Sequence, residues 1–320
     1  MPRDDRRVLV TFMGFDAVGP RTGARLRDAG LEVVLAPKNG ARNAAEVARL
    51  AAGSVAAIVS TDPFDRAVFR AAPDLRVIAR VGVGTDSIDL DAATEAGVVV
   101  TITPGANRET AADHALAMIL AALRRLLEHD ASVRRGEWRR GGDLTPWDLH
   151  GTTVGLIGYG EIGRAVGRRV AGFGARVLAC DPAEPGTVRL GELLERADVV
   201  SLHLPLTDST RGIVGAAELA RMPTHAVLVN TSRGAIVDES ALVDALATRR
   251  LRAAALDVFA DEPTVPARLR ALPNVVLTPH IGGLSERSIA RMTERATEHV
   301  LAVLGGRPDR ECVANPEVLA

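Results

Sequence analysis

The sequence predicts an α/β protein of two domains, each a parallel sheet covered by helices on both faces. Three observations lead there. Short continuous apolar runs alternate with amphipathic stretches through the first hundred residues, the pattern of strands buried between helices. A glycine turn flanked by an apolar run and a helical stretch falls at residues 158–163, with about 150 residues before it that need a fold of their own. A chain of 320 residues is long enough to bury two cores.

In the first domain the apolar runs predict strands at residues 8–12, 32–36, 56–60, 76–81 and 98–102, and amphipathic stretches predict helices at 19–29, 43–52, 65–71 and 90–96. No phosphate-binding fingerprint lies among them. The N-terminal stretch mimics a signal peptide, but its apolar run is short and Asp4 and Asp5 interrupt the basic region, so a first strand is the better reading. Residues 107–125 read as one long helix, punctuated at its start by Pro104 and Gly105. Its apolar pattern carries Asp113, His114, Arg124 and Arg125 and cannot span a bilayer, so a cytoplasmic protein with no membrane partner is expected. His114 and His129 read as surface or interface histidines. Residues 134–142 are polar, an arm or linker in which Trp138 serves as an interface anchor or a simple loop anchor.

The second domain opens with a strand ending at Ile157, then Gly158-Tyr159-Gly160-Glu161-Ile162-Gly163, a helix at 164–173, a second strand at 176–180 and Asp181. Gly158 permits the tight turn, Gly160 lets a pyrophosphate approach the backbone, and Gly163 lets helix and strand pack closely. The helix N-terminus offers N–H groups and a positive dipole end to phosphates. Asp181, eighteen residues beyond Gly163, can accept hydrogen bonds from a ribose diol. With no neighbouring arginine to meet a 2′-phosphate, it favours NAD over NADP. Strands at 198–202, 226–230, 253–258 and 275–278 bring the total to six, the Rossmann number. The helix predicted at 285–304 returns to the first domain.

Composition narrows the function. Hydrophobic content of 47% and charged content of 25% are those of an ordinary globular protein. A net charge of −1 argues against a nucleic-acid surface. The two cysteines, Cys180 and Cys312, are far apart and imply no disulfide framework, which suits a reducing compartment. No Cys/His spacing suits zinc, so no metal is expected. No hydrolase elbow surrounds Ser209, and no Gly-Lys-Ser/Thr follows a glycine loop.

Open parallel sheets bind ligands beyond the carboxyl ends of their strands. Three such ends carry Thr231-Ser232-Arg233-Gly234, Asp257 through Glu262-Pro263, and Thr278-Pro279-His280 to Gly283. A dehydrogenase of an α-hydroxy acid needs a cation for the substrate carboxylate, which Arg233 supplies. It needs a group that exchanges the hydroxyl proton, which His280 supplies, and a carboxylate to orient that imidazole, which Glu262 supplies. Asp257 could hold the nicotinamide carboxamide. Singly, Arg233 reads as a solvated surface group, Glu262 as a loop acid and His280 as a satisfied loop histidine; together, each just past a strand end, they point to chemistry.

The chain resembles the D-isomer-specific 2-hydroxyacid dehydrogenase family. The match is carried, in family order, by residues 83–90 (VGTDSIDL), 103–107 (TPGAN), 155–163 (GLIGYGEIG), 203–207 (HLPLT), 230–234 (NTSRG), 256–259 (LDVF) with Glu262-Pro263, and 279–283 (PHIGG). The resemblance implies a Rossmann NAD-binding domain, residues 104–284, inserted into a smaller flavodoxin-like α/β substrate domain formed by residues 1–103 and 285–320. Residues 104–150 then supply the long helix and dimerisation arm of a homodimer. It implies reversible hydride transfer between C2 of a small D-2-hydroxy acid and nicotinamide C4, with Arg233, Glu262 and His280 catalytic. Gly158, Gly160, Glu161, Ile162, Gly163, Asp181, Thr231, Asp257 and Gly283 are the implied NAD contacts, and Val83 and Gly84 the loop whose N–H groups hold the substrate carboxylate.

Within the family the chain looks most like phosphoglycerate dehydrogenases. Arg80, Asn107 and Arg140 match their substrate contacts, the last from a partner subunit's arm. Two departures stand out: Ser60-Thr61-Asp62-Pro63 replaces the arginine expected after the third strand, and Asp113 replaces a glutamate. The regulatory domain of longer relatives is not expected. The substrate therefore stays open between 3-phosphoglycerate, glycerate or hydroxypyruvate, and a phosphonate analogue. A non-catalytic NAD(H)-sensing corepressor is the alternative from another class.

Overall fold

The computed structural model describes residues 6–15, 20–38 and 41–320. The chain divides into two compact units, Met1–Asn107 with Leu284–Ala320, and Arg108–Gly283.

The first unit is a five-stranded sheet. Its elements are β1 (Arg7–Val10), α1 (Pro20–Asp28), β2 (Glu32–Leu35), α2 (Ala44–Ala51), β3 (Ser54–Val59), α3 (Arg66–Ala71), β4 (Val77–Arg80), α4 (Leu90–Glu95) and β5 (Val99–Thr101). The start expected for the first helix, Gly19, lies outside the described residues. The strands run parallel in the order β2-β1-β3-β4-β5, the flavodoxin-like arrangement. Side-chain caps set three helix starts: Asn43, Asp65 and Asp89 each accept from backbone N–H groups one turn on, satisfying donors the helix leaves unpaired.

The second unit begins with α5 (Arg108–Arg124). That helix ends where the sequence put its end, at about Arg125, which takes a left-handed conformation (φ 52°); a further helix the sequence did not show, α6 (Leu126–Arg134), then precedes the polar segment. Then come β6 (Thr153–Ile157), α7 (Glu161–Gly172), β7 (Arg176–Cys180), α8 (Leu190–Arg196), β8 (Val199–Leu202), α9 (Ala216–Arg221), β9 (Val227–Asn230), α10 (Glu239–Ala247), β10 (Ala253–Leu256), α11 (Ala267–Arg270) and β11 (Val275–Leu277). Six parallel strands are present, in the order β11-β10-β9-β8-β6-β7. Among the described residues the β7 edge carries no further strand; one bond, from Val188 N to Ala179 O at 2.9 Å, stands where another ladder would run. The segment beyond β7 holds Pro182, Pro185 and Gly186, which cannot sustain a ladder.

The order reverses between β6, whose outer neighbour is β7, and β8. That switch point marks the ligand side of the sheet. Both faces are covered. Ala115, Met118, Ile119, Ala122 and Leu123 of α5 are buried with Val166 and Val170 of α7 and strand residues Val227, Val229 and Ala255. Each large apolar side chain so buried contributes about 1.5–3 kcal/mol.

The chain returns to the first unit as α12 (Glu286–Leu304), begun by a capping box between Ser285 and Ser288. Met292, Ala296, Val300 and Val303 form its buried stripe and join Val77, Ala79 and Val99 in one core.

Candidate active site

The glycine turn of the second unit is fixed by close packing. A Cβ on Gly158, whose φ is 90°, would sit 2.5 Å from the His203 carbonyl oxygen, and one on Gly163 2.2 Å from the Gly158 oxygen. A Cβ on Gly160 would meet nothing within 4 Å. Only glycines let β6, the α7 N-terminus and the end of β8 approach this closely, and the result is a cradle of the shape a pyrophosphate needs. These residues fit NAD.

Asp181 closes the cradle: Oδ2 accepts from Tyr159 N (2.8 Å) and Oδ1 from Ala183 N (3.0 Å). Arg164 lies over the Tyr159 ring at 4.9 Å and pairs with Glu184. One helical turn after Gly160 the α7 side chains reach back over the turn, which spacing from Asp181 in the sequence conceals. Glu161 is exposed, 3.6 Å from Arg108 Nη1, and Ile162 packs against the α5–α7 core.

His203 follows β8 at the same place. Its N–H donates to Ile157 O (2.7 Å), and its Nε2 lies 3.0 Å from Ser201 Oγ. Burial pushes its imidazole down to about 4. Nothing in the sequence pointed to this placement beyond the 203–207 motif.

Arg233 follows β9. Asn230 shapes its turn by accepting from Ser232 N (3.0 Å) and donating to Arg233 O (2.8 Å), while Ser232 Oγ donates to Leu202 O (2.8 Å). Gly234 then lies against the next loop: a Cβ there would be 1.9 Å from the Phe259 carbonyl carbon. That contact brings the backbone beside Arg233 against the loop that carries Glu262.

Glu262 and His280 meet. Nδ1 of His280 donates to Oε2 of Glu262 at 2.6 Å, and Oε1 accepts from Phe259 N at 3.1 Å. The tautomer follows, because a carboxylate only accepts; Nε2 is left for proton exchange. His280 takes φ 54°, a region costly for a residue with a Cβ. Its N–H donates to Asp257 O (2.8 Å) and lies 3.1 Å from Thr278 O.

Asp257 holds that loop in place. It is 1% exposed. Oδ1 accepts from Thr278 Oγ1 (2.6 Å) and Ile281 N (2.9 Å), and Oδ2 from Gly282 N (2.7 Å). Burial by itself would push its carboxyl up. The hydrogen bonds from His114, Thr278, Ile281 and Gly282 outweigh burial and hold it below the usual carboxylate range.

His114 is not the surface or interface residue expected. Its side chain is 17% exposed, and Nε2 stands 3.3 Å from Asp257 Oδ1 and 3.2 Å from Thr278 Oγ1. The missed signal was helical spacing: His114 and Met118 share a face at i and i+4, and both meet Thr278. Thr231 and Gly283 lie within the 230–234 and 278–283 turns. Asp113 pairs with Arg169 at 2.7 Å.

In the first unit, Arg80 donates to the carbonyls of Gly84 (2.8 Å, from Nε) and Val81, so it shapes the loop containing Val83 and Gly84. Val83 is exposed and Asn107 half-buried, and Arg140 is exposed in the segment after α6. Asp62, standing where an arginine was expected, is buried: it accepts from Thr11 Oγ1 (2.5 Å) and from Arg42 Nη1 (2.7 Å).

Comparison with known proteins shows the family. The model of the D-isomer-specific 2-hydroxyacid dehydrogenase NAD-binding domain matches residues 116–282. A glyoxylate reductase of Korarchaeum cryptofilum is 45% identical over 259 residues, 77% of this chain and 78% of that protein. A D-3-phosphoglycerate dehydrogenase of Mycobacterium leprae is 43% identical over 256 residues, 77% of this chain but 48% of that protein, so the chain spans about half of that relative's length. Among solved structures, the TT0316 protein of Thermus thermophilus matches with a TM-score of 0.86 and 43% identity, covering 94% of this chain and 98% of that one.

The chain belongs to the D-isomer-specific 2-hydroxyacid dehydrogenase family. It is an NAD-dependent oxidoreductase acting on the CH–OH group of a 2-hydroxy acid.

Proposed function

We propose that the chain interconverts a small, unphosphorylated D-2-hydroxy acid and its 2-oxo acid, glyoxylate or hydroxypyruvate being the class of oxo substrate. The observation that carries the catalytic reading is the 2.6 Å pair between His280 and Glu262, on a loop clamped by Asp257. When bound, NAD(H) supplies or takes the hydride at C2 of the substrate. His280 Nε2 gives its proton to the nascent alkoxide, or takes the hydroxyl proton in reverse. Glu262 fixes the tautomer and orients the imidazole, as the acid does in a catalytic triad. Arg233 holds the substrate carboxylate; in the first unit, Arg80, Val83, Gly84 and Asn107 are the substrate contacts that the family resemblance implies. Thr231 and Gly283 line the nicotinamide side, and Asp181 takes the ribose.

The choice of an unphosphorylated acid rests on Asp62. After β3 a buried carboxylate stands where a phosphate would need a cation, and Arg42 is committed to it. Enzyme-named relatives and the oriented imidazole favour catalysis over a corepressor.

We also place the protein in the cytoplasm as a homodimer. Both cysteines are free thiols, and among the described residues no helix is long and apolar enough to cross a membrane. Leu126, Leu127, Val133 and Trp138 are all more than half exposed and cluster in α6 and the segment after it, which suits the dimer arm of the family and the partner's use of Arg140.

The test is NADH oxidation over glyoxylate, hydroxypyruvate, pyruvate and phosphohydroxypyruvate. Glyoxylate or hydroxypyruvate should give the highest kcat/KM, and His280→Asn should lower kcat at least a hundredfold with NADH affinity retained. Preference for the phosphorylated acid would overturn the substrate reading. Tight NADH binding without turnover of any acid would favour the corepressor.

A further inference from the structure

No spacing in the sequence suggests a metal site, yet the fold gathers three ligand types at one end of α12. His299 lies in the last turns of that helix. Gly305 and Gly306 end it, and Asp309 caps a short 3-10 turn, Arg310–Cys312. One ring nitrogen of His299, a carboxylate oxygen of Asp309 and Sγ of Cys312 all lie within 4.8 Å of one another. His299 is 8% exposed, and its Nδ1 is buried with no hydrogen-bond partner. A buried polar atom without a partner is destabilising, and a ligand supplied from outside the protein would satisfy it.

We propose that His299, Asp309 and Cys312 form a binding site for a divalent transition-metal ion, zinc by preference, with water completing the coordination. The donor set selects the ion. Imidazole, carboxylate and thiolate suit borderline zinc, whereas magnesium and calcium take oxygen ligands. Zinc–ligand bonds of about 2.0–2.3 Å place neighbouring tetrahedral ligands about 3.3–3.6 Å apart. The Cys312 Sγ to Asp309 Oδ2 edge is already 3.3 Å, so side-chain rotation closes the remainder. The sulfur is a thiol that donates to Asp309 Oδ2. Binding therefore exchanges the thiol proton for the metal–sulfur bond and releases that proton to water.

The ion would act as a staple. Ile102 N donates to Cys312 O (2.9 Å), Ala314 N donates to Val100 O (2.8 Å), and Val313 bridges Thr101. Tying Cys312 to His299 would therefore fasten the C-terminal end of α12 to the segment paired with β5. This inference is independent of the reaction proposed above, since none of the three residues belongs to its machinery.

The experiment uses the full chain, stripped with EDTA and titrated with Zn²⁺ against a chelating indicator, then with Co²⁺ followed by absorption. One Zn²⁺ per chain, a rise of several degrees in Tm, and a sulfur-to-cobalt charge-transfer band are expected. Cys312→Ser should abolish the band and weaken Zn²⁺ at least tenfold, His299→Gln should weaken it similarly, and Cys180→Ser should leave both intact. No stoichiometric Zn²⁺ binding, or binding undiminished in Cys312→Ser and His299→Gln, would overturn the proposal. The cobalt spectrum of the unmutated chain keeps it testable if a variant fails to fold, because a missing sulfur band refutes it directly.

Discussion

Replacing Glu262 with Gln probes the proposed proton-transfer pair with the least disturbance of shape. The amide keeps the size of the side chain, and its oxygen can still accept from His280 Nδ1, 2.6 Å away in the native protein. What disappears is the negative charge facing an imidazolium. Two unit charges about 4 Å apart interact by about 4 kcal/mol at an effective dielectric near 20. Both side chains are about one-third exposed, 33% and 32%, so solvent screening reduces this to about 2 kcal/mol. That amount, felt in the step where the imidazole changes charge, corresponds to roughly a 30-fold fall in kcat. Steady-state NADH oxidation with a saturating 2-oxo acid measures it, and fluorescence titration with NADH measures the cofactor's affinity separately. The expected result is kcat down by ten- to a hundredfold with NADH binding unchanged. Unaltered kcat would show that Glu262 orients nothing that matters to the reaction. A large loss of NADH affinity would move the residue into the cofactor site.

Other outcomes follow from the same geometry. Gly234→Ala drives a methyl into the Phe259 carbonyl, 1.9 Å from where its Cβ must stand; we expect a loss of at least about 3 kcal/mol, roughly 6–12 °C in Tm, and a melting curve like the parent's would show that the two loops can part freely. Asp181→Ala should lower the NAD-to-NADP ratio of kcat/KM about tenfold or more, because a charged acceptor for the ribose diol is lost; an unchanged ratio counts against that role. Stability should fall as the pH drops from about 6.5 towards 4. The His203 imidazole is held down to about 4 in the fold, so the unfolded chain takes its proton first and gains as acid is added, by up to roughly 3 kcal/mol. His203→Gln should flatten this part of the denaturant-midpoint profile, and an equally steep profile in the variant would refute the assignment. Below pH 4 a second loss should set in as Asp257, held under the usual carboxylate range, is protonated.

Much of the site could be read from local patterns. The strand–glycine–helix run at 153–172 was legible because each glycine answers a short-range steric demand, now visible as the carbonyls a Cβ would strike. Arg233, Glu262 and His280 could be named as candidates because each sits just past a strand end. What could not be read is which of the neighbouring polar groups touch. His114 looked like a surface residue of a long helix until packing set its face against Thr278 and Asp257. Arg164 and Asp181 are separated by most of α7 and all of β7, yet both reach Tyr159: Arg164 lies over its ring and Asp181 accepts from its N–H. The end of the long helix near Arg125 was legible, but the further helix at 126–134 was not, because its leucines are exposed and no apolar stripe marks it.

The chain's own order of residues determined the α/β class, the two parallel sheets, the dinucleotide cradle and the type of chemistry, since periodicity and glycine sterics act over a few residues. Only the tertiary structure decided that a buried Asp257 clamps the histidine loop, that Asp62 pairs with Arg42, and that His299 comes within 4.8 Å of Asp309 and Cys312. Those contacts depend on where packed helices and strands deliver side chains distant in sequence, and a one-dimensional spacing carries no measure of that convergence.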